Sequence, residues 1–205
     1  MLTIDHITAA LALGPLGDRS DFDLMPETRE RYLNGRKTRP AAVLCGLIQR
    51  EDGLHVVLTE RAAHLKEHAG QISFPGGKVD PADPGPKATA LREAEEEIGL
   101  PAHQIDLLGP LDDYVTGTAF RVTPFVGLVD VGWQPVLDPG EVARVFETPL
   151  DFLMDSGNRL RHAYTRDGMT RYYYAMPWND HYIWGATAGM LKGLADRLEL
   201  IGAAR

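Results

Sequence analysis

A tight glycine turn followed by one acidic, strongly predicted helix restricts the fold of this chain more than any other segment. The turn lies in residues 74–78, Phe-Pro-Gly-Gly-Lys, and good helix formers run from 87 to 98. Asp83 is placed to cap the helix, Pro86 suits its first turn, and Gly99 ends it. The sequence therefore predicts a loop, a helix and a second loop over this segment.

Three glutamates of the predicted helix share one face, because Glu93, Glu96 and Glu97 stand at positions i, i+3 and i+4. Like charges at this spacing repel, and the macrodipole disfavours negative charge in the C-terminal half of a helix. A divalent cation reverses the sign of that repulsion, and carboxylate oxygens suit hard ions such as Mg²⁺ or Mn²⁺. Arg92 is spaced to hold one of the carboxylates. The alternative to a metal centre is a solvated acidic face.

Strands and helices mix along the chain without regular βαβ alternation, which predicts an α+β fold with a mixed sheet. Helical spacing predicts a short amphipathic helix at the N-terminus and a longer one over 186–202. The apolar stripe of the second helix either packs in the core or forms a dimer contact. The strand-like stretches are 41–49, 54–60, 104–109, 120–129, 143–148, 159–165 and 170–176.

Composition excludes several classes of function. The 29 acidic residues outnumber the 21 basic ones, and a net charge of -8 argues against binding nucleic acid or an anionic membrane through bulk charge. No apolar run approaches the roughly 20 residues that a spanning helix needs. The single cysteine, Cys45, rules out an intramolecular disulfide framework. We expect a cytoplasmic protein, because the N-terminus lacks the pattern of a signal peptide.

Together the turn and the helix resemble the signature of the Nudix hydrolase family. Gly77 opens the pattern, and the run Arg-Glu-Ala-Glu-Glu-Glu-Ile-Gly-Leu at 92–100 closes it. Asp83 stands where the family has a glutamate, one residue further from the run than usual, and we interpret it as a cap rather than a ligand. The resemblance implies an α/β/α sandwich around a mixed sheet. It also implies hydrolysis of a nucleoside diphosphate linked to another group.

A second set of segments is similar to the coenzyme A pyrophosphatase branch of that family. The most specific stretch runs from Leu58 to Gly77, with Lys66 at a position where the branch usually has arginine. This resemblance implies that coenzyme A or a derivative is cleaved to 3′,5′-ADP and (acyl-)4′-phosphopantetheine. The further similar segments are 122–127, 146–150 and 183–188, so the likeness spans about residues 40 to 195.

The family resemblance and the chemistry of phosphoryl transfer assign roles to the acidic residues. Glu93 and Glu97 are the expected principal metal ligands, Glu96 a shared or second-metal ligand, and the Gly77 carbonyl a further ligand. Arg92 orients the carboxylates. The general base is Glu96, Glu93 or the later Glu141, and these three alternatives stay open.

Cationic and backbone groups before the helix are expected to bind substrate. Arg61, Lys66 and Lys78 would meet phosphates, and His68 belongs to the same expected loop. Gly76 and Gly77 let the backbone approach a ligand closely. Trp184, with the tyrosines at 172–174, either stacks on adenine or packs in the core.

The sequence predicts an accessory segment over 1–37 and a Nudix domain over 38–205. The expected partner is a small nucleotide substrate, with no nucleic acid and no membrane, and a homodimer stays open. Two other functions remain: hydrolysis of another diphosphate such as ADP-ribose, NADH or a dinucleotide, and non-catalytic nucleotide binding. A retained cluster of repelling glutamates disfavours the non-catalytic alternative.

Overall fold

The computed structural model describes residues 1–166 and 168–203. Over those residues, no helix has both the length and the apolar content that a membrane span requires. The helices are α1 (Ile4–Leu11), α2 (Arg29–Leu33), α3 (Pro86–Ile98), α4 (Leu150–Met154) and α5 (Ala186–Leu200). The strands are β1 (Arg19–Ser20), β2 (Arg39–Arg50), β3 (Gly53–Arg61), β4 (Ile72–Ser73), β5 (Gly76–Lys78), β6 (Ile105–Pro110), β7 (Tyr114–Val115), β8 (Phe120–Val129), β9 (Val142–Pro149), β10 (Leu160–Arg166), β11 (Met169–Trp178) and β12 (His181–Trp184).

A large mixed sheet forms the centre of the molecule. Strand β2 pairs in parallel with β8 and in antiparallel with β3 and β5, and β9 pairs with the other side of β3. Side chains alternate between the two faces of β2, so that Leu44 and Ile48 belong to a cluster with α3. Cys45 and Leu47 belong to the cluster that contains α5. This confirms the predicted α+β class and the sandwich of helices on both faces of a mixed sheet.

The C-terminal helix is a core element. Leu191, Leu194 and Leu198 of α5 are fully buried, so its apolar stripe packs inside the chain and is not a dimer contact. Helix α1 lies against α5 and buries Ile7 and Ala10 in the same cluster. The N-terminal segment therefore shares the core of the following residues, and the predicted domain boundary at 37 stays a prediction.

A second sheet, formed by β10, β11 and β12, packs beside β4 and α5. The first two strands agree with the predicted stretches, whereas the short β12 was not predicted. The sequence also predicts a hairpin turn over 166–168, but Asp167 lies outside the described residues. Trp184 is half-buried, and its ring centre lies 5.2 Å from that of Tyr173. Adenine stacking by Trp184 stays a prediction.

Helix α3 begins at Pro86 and ends at Ile98, close to the predicted bounds. The prediction that Asp83 caps it is wrong, because the N-cap residue is Gly85 and no side chain bonds to the first turn as a cap. Gly85 has a φ of 155°, a backbone conformation that favours glycine. The carboxylate of Asp83 is thereby free to bond elsewhere.

Candidate active site

Two consecutive glycines bring the backbone of β5 against the glutamates of α3. A Cβ atom on Gly77 would collide with the carboxylate of Glu93. A Cβ atom on Gly76 would collide with Ala42 of the neighbouring strand β2, and Gly76 has a φ of 156°. The Gly76 N–H instead donates to Oε2 of Glu97 at 3.2 Å. The Gly-Gly pair is thus required by close contacts on both sides of β5.

Glu97 is the most deeply buried acidic side chain of the site, with 4% of the side chain exposed. Burial raises the pKa of its carboxyl to about 8, although the Gly76 N–H bond opposes the shift. The charges of Glu93 and Glu141 raise this pKa further, and Arg61 lowers it. The charges of Glu93 and Glu141 therefore reach the buried carboxyl of Glu97 across the site.

The three glutamates of the predicted helix face differ in burial and in hydrogen-bond partners. Glu93 is partly buried beside Gly77, and burial raises the pKa of its carboxyl. Glu96 turns towards solvent, where its Oε2 accepts from Nη1 of Arg92 at 2.8 Å. The same Arg92 nitrogen lies 3.0 Å from Oε1 of Glu93. Arg92 therefore holds two of the carboxylates, as predicted from its spacing, while Glu97 faces another partner.

Asp83 holds Arg92 from the opposite side. Nε and Nη2 of Arg92 donate to the two carboxylate oxygens at 3.1 and 3.0 Å, and the Thr89 hydroxyl donates to Oδ2 at 2.7 Å. These bonds hold the pKa of the Asp83 carboxyl well below its usual range. The sequence analysis did not predict that Asp83 binds Arg92. The family pattern has an acidic residue at this position, and that was the available signal.

Arg61 reaches the same place from the end of β3. Its Nη1 lies 3.9 Å from Oε1 of Glu97, and its Nε is buried without a hydrogen-bond partner among the described residues. The register against β9 shifts between Glu60 and Arg61, which ends the regular pairing at this residue. The Ala62 N–H donates to the carbonyl of Glu141 at 2.8 Å, so the loop before β9 adjoins the site.

The remaining predicted substrate residues lie further out. Lys66 and His68 are exposed in the loop over 62–71, where Nδ1 of His68 lies 2.7 Å from Oε1 of Gln71. Lys78 lies on the face of β5 opposite to Gly77, with its Nζ 5.8 Å from the ring centre of Phe120. The fold therefore brings Arg61, Gly76 and Gly77 to the glutamates, but it does not bring Lys78 there.

The donor set fits a hard divalent ion, although no three acidic, histidine or cysteine side chains within 1–166 and 168–203 close on one point. Glu93 and Glu97 supply carboxylates one helical turn apart, and the backbone of Gly77 lies against Glu93. Oxygen-only ligands of this kind suit Mg²⁺ or Mn²⁺. The mutual repulsion of Glu93, Glu97 and Glu141 is what such an ion would relieve.

Comparison with known proteins places the chain in a family. The NUDIX domain model matches residues 37–169. Two relatives, each called "Uncharacterized Nudix hydrolase NudL", come from Salmonella dublin and Salmonella enteritidis PT4. Each is 38% identical over 199 residues, which is 95% of this chain and 94% of the relative. The crystal structure of the MutT protein from Methanosarcina mazei Go1 shares the fold, with a TM-score of 0.51 and 21% identity over 82% of this chain and 97% of that one.

A mixed sheet between helices, with a carboxylate helix beside a glycine turn, defines a phosphoanhydride hydrolase of the Nudix type, and the chain belongs to the Nudix family. As a Nudix hydrolase it acts on nucleoside diphosphate derivatives. Enzymes of this family generally use divalent ions such as Mg²⁺ or Mn²⁺.

Proposed function

We propose that this protein hydrolyses the pyrophosphate bond of coenzyme A or its derivatives, giving 3′,5′-ADP and (acyl-)4′-phosphopantetheine. One observation carries the proposal. The stretch that resembles the coenzyme A branch starts in β3 and ends in β5, and both ends meet at one side chain of α3. Arg61 lies 3.9 Å from Oε1 of Glu97, and Gly76 donates to Oε2 of the same carboxylate. The stretch that resembles this branch therefore contributes to one wall of the proposed metal site.

Glu93, Glu97 and the carbonyl of Gly77 would hold a Mg²⁺ or Mn²⁺ ion in this proposal. Such an ion, when bound, neutralises the phosphoryl oxygens and lowers the pKa of water. Arg92 fixes the rotamer of Glu93 through the 3.0 Å ion pair, and Asp83 fixes Arg92 in turn. Glu96 is the proposed ligand for a second ion, which would require it to leave Arg92.

Glu141 is the proposed general base. Its carboxylate is exposed, and over the part of the chain that the structure describes it makes no ion pair or hydrogen bond. It is close enough to raise the pKa values of both Glu93 and Glu97. Glu93 and Glu96 are engaged by Arg92, so they are less free to accept a proton from attacking water.

Substrate binding is assigned to Arg61 and to the exposed loop over 62–71. Arg61 would bond the pyrophosphate from beside Glu97. Lys66 and His68, further along the loop, would meet the 3′-phosphate of the substrate. Lys78 points away from the glutamates, so a substrate role for it requires a ligand that extends around the edge of β5.

A substrate panel tests the proposal. Coenzyme A, acetyl-coenzyme A, ADP-ribose and NADH are each incubated with the protein and Mg²⁺ or Mn²⁺, and products are identified by mass spectrometry. We expect the highest kcat/KM with a coenzyme A compound and 3′,5′-ADP as product. Preference for ADP-ribose or NADH would replace the coenzyme A assignment, and turnover that survives EDTA would overturn the metal mechanism.

A loop variant refines the panel. Lys66→Ala should raise KM for coenzyme A several-fold with little change in kcat, because it removes one exposed phosphate contact. Lys37→Ala, which removes an equally exposed lysine outside the loop, is the matched control. An equal KM for both variants would remove Lys66 from the substrate site.

A further inference from the structure

The guanidinium of Arg61 lies beside Glu97 but does not use all of its hydrogen-bond donors there. The guanidinium is 26% exposed, its nearest nitrogen lies 3.9 Å from Oε1 of Glu97, and this exceeds the usual range of a hydrogen bond. Its Nε is buried and bonds to nothing among the described residues. A buried donor without a hydrogen-bond partner costs free energy. Glu97 therefore leaves part of the bonding capacity of Arg61 unsatisfied.

The two oxygens of Glu97 differ in what they face. Oε2 accepts from the Gly76 N–H, whereas Oε1 faces Arg61. A divalent ion bound at Oε1 would meet the positive charge of the guanidinium a few ångströms away. In this partly buried place, screening by solvent and salt is weak, so the two cations oppose each other strongly.

We propose that Arg61 and the divalent ion compete for the Glu97 carboxylate, and that Arg61 moves onto the substrate's diphosphate when the ion binds. Without the ion, Arg61 is the cation that faces Oε1 of Glu97, and its charge favours the ionised form of that carboxyl. With the ion in place, the guanidinium is released towards the outer side of the site. Arg61 is then a positioning residue that couples ion binding to phosphate binding. This inference rests on the proposed metal site.

The side chain of Arg61 is suited to bind the diphosphate of the substrate. A guanidinium presents several N–H donors in a fixed plane and binds phosphate oxygens in pairs. Its unpartnered Nε gives Arg61 a donor that Glu97 does not use. The Arg61 N–H donates to the Gln71 carbonyl at 3.0 Å, and the Gly70 N–H donates to the Arg61 carbonyl at 3.1 Å. The backbone of Arg61 therefore stays fixed while the side chain changes partner.

Mn²⁺ binding without substrate, measured by the electron paramagnetic resonance of the free ion, tests the competition. Arg61→Gln should bind Mn²⁺ about tenfold more tightly than the natural protein, since a unit charge close to a divalent ion is removed. Arg61→Lys keeps the charge and should stay within about twofold of the natural affinity by the same reasoning. Arg144→Gln is the matched control, because Arg144 pairs with Glu60 on the neighbouring position of β3 and does not touch Glu97.

The outcomes separate the two proposals. Unchanged or weaker Mn²⁺ binding in Arg61→Gln, together with weakened binding in Glu97→Gln, overturns the competition and leaves the metal site standing. Equal Mn²⁺ affinity in the natural protein and in Glu97→Gln overturns both the competition and the proposed metal site. In kinetics at saturating Mn²⁺, Arg61→Gln should raise KM for coenzyme A while Arg144→Gln does not, and an unchanged KM overturns the transfer to the diphosphate.

A measurement on the natural protein covers the case in which Arg61→Gln fails to fold. The Nε–H resonance of Arg61, assigned by its loss in Arg61→Lys, is followed in a ¹⁵N spectrum during titration with Mg²⁺. We expect this resonance to shift in step with Mg²⁺ binding and to shift again on addition of 3′,5′-ADP. A resonance that ignores Mg²⁺ overturns the competition.

Discussion

Two arginine–carboxylate pairs in this protein differ in how many polar atoms of the arginine have a hydrogen-bond partner. Arg197 donates to Asp112 at 2.8 and 3.1 Å and to the carbonyls of Ala10 and Gly14. Asp112 also accepts from the backbone of the N-terminal segment. Arg61, in contrast, lies 3.9 Å from Glu97, and its Nε has no hydrogen-bond partner within residues 1–166 and 168–203. The first pair joins α5 to the segment between β6 and β7, and the second adjoins the proposed metal site.

This difference in hydrogen bonding indicates that the Arg197–Asp112 pair serves stability, whereas the Arg61–Glu97 pair serves function. A buried ion pair stabilises a fold only when nearly all of its polar atoms are bonded, because taking the charges out of water is expensive. Arg197 meets that condition with 2% of its side chain exposed. Arg61 and Glu97 do not meet it, and the remaining bonding capacity is available to an ion and to a phosphate.

Replacing Glu97 should have the largest effect. Glu97→Gln is expected to lower kcat by about 10³-fold or more, since a metal ligand supplies several kcal/mol of transition-state stabilisation. The melting temperature should not fall, because glutamine keeps the size of the side chain and an oxygen that can accept from the Gly76 N–H. Steady-state kinetics and a thermal melt check both parts. Glu95→Gln, on the exposed side of the same helix, should keep its activity, and a matching loss there would contradict the assignment.

Replacing Arg197 should give the opposite pattern. Arg197→Met is expected to lower the free energy of unfolding by about 3–5 kcal/mol, because it leaves Asp112 buried without its partner. Urea denaturation measures the loss, and kcat per folded molecule should be unchanged. The double variant Arg197→Met/Asp112→Leu should recover part of the stability. A loss below about 1 kcal/mol would show that this pair is not structural.

The pH dependence of stability should reflect the burial of Glu97. Glu97 has a pKa of about 8 in the folded protein, against 4.5 for an ordinary glutamate. Between these values the unfolded chain has released a proton that the folded protein keeps. The free energy of unfolding in EDTA should therefore fall as pH rises through this window, and the raised pKa of Glu93 acts in the same direction. Denaturation of Glu97→Gln across the same range should show a flatter profile, and an identical slope would contradict this origin.

Replacing Arg61 should have the smallest effect on stability. Arg61→Gln in EDTA is expected to change the free energy of unfolding by less than about 1 kcal/mol, since the pair is long and partly exposed. The same urea experiment applied to Arg61→Gln and Arg197→Met compares the two pairs directly. A loss as large as that of Arg197→Met would show that Arg61 is structural and would remove the contrast.

Elements that depend on neighbouring residues are predictable from the sequence alone. Helix formers between Pro86 and Gly99 defined α3, and the spacing of Arg92, Glu93 and Glu96 determined which side chains lie within one helical turn. Alternating or continuous apolar runs indicated most strands of the large sheet. These features depend on neighbours within a few residues, so periodicity and turn chemistry are sufficient to predict them.

The packing of β5 against α3 determines which of the three glutamates is most deeply buried. Helix spacing treats Glu93, Glu96 and Glu97 alike, whereas β5 covers Glu97 and leaves Glu96 in solvent. The tertiary structure also decided that Asp83 holds Arg92 and does not cap the helix.

Ion pairs between residues that are distant in sequence are also not predictable from local patterns. Asp112 and Arg197 are 85 positions apart, so no local pattern pairs them. Burial and charge pairing depend on the packing of distant strands and helices, which sets both the desolvation of a carboxylate and the cation that faces it.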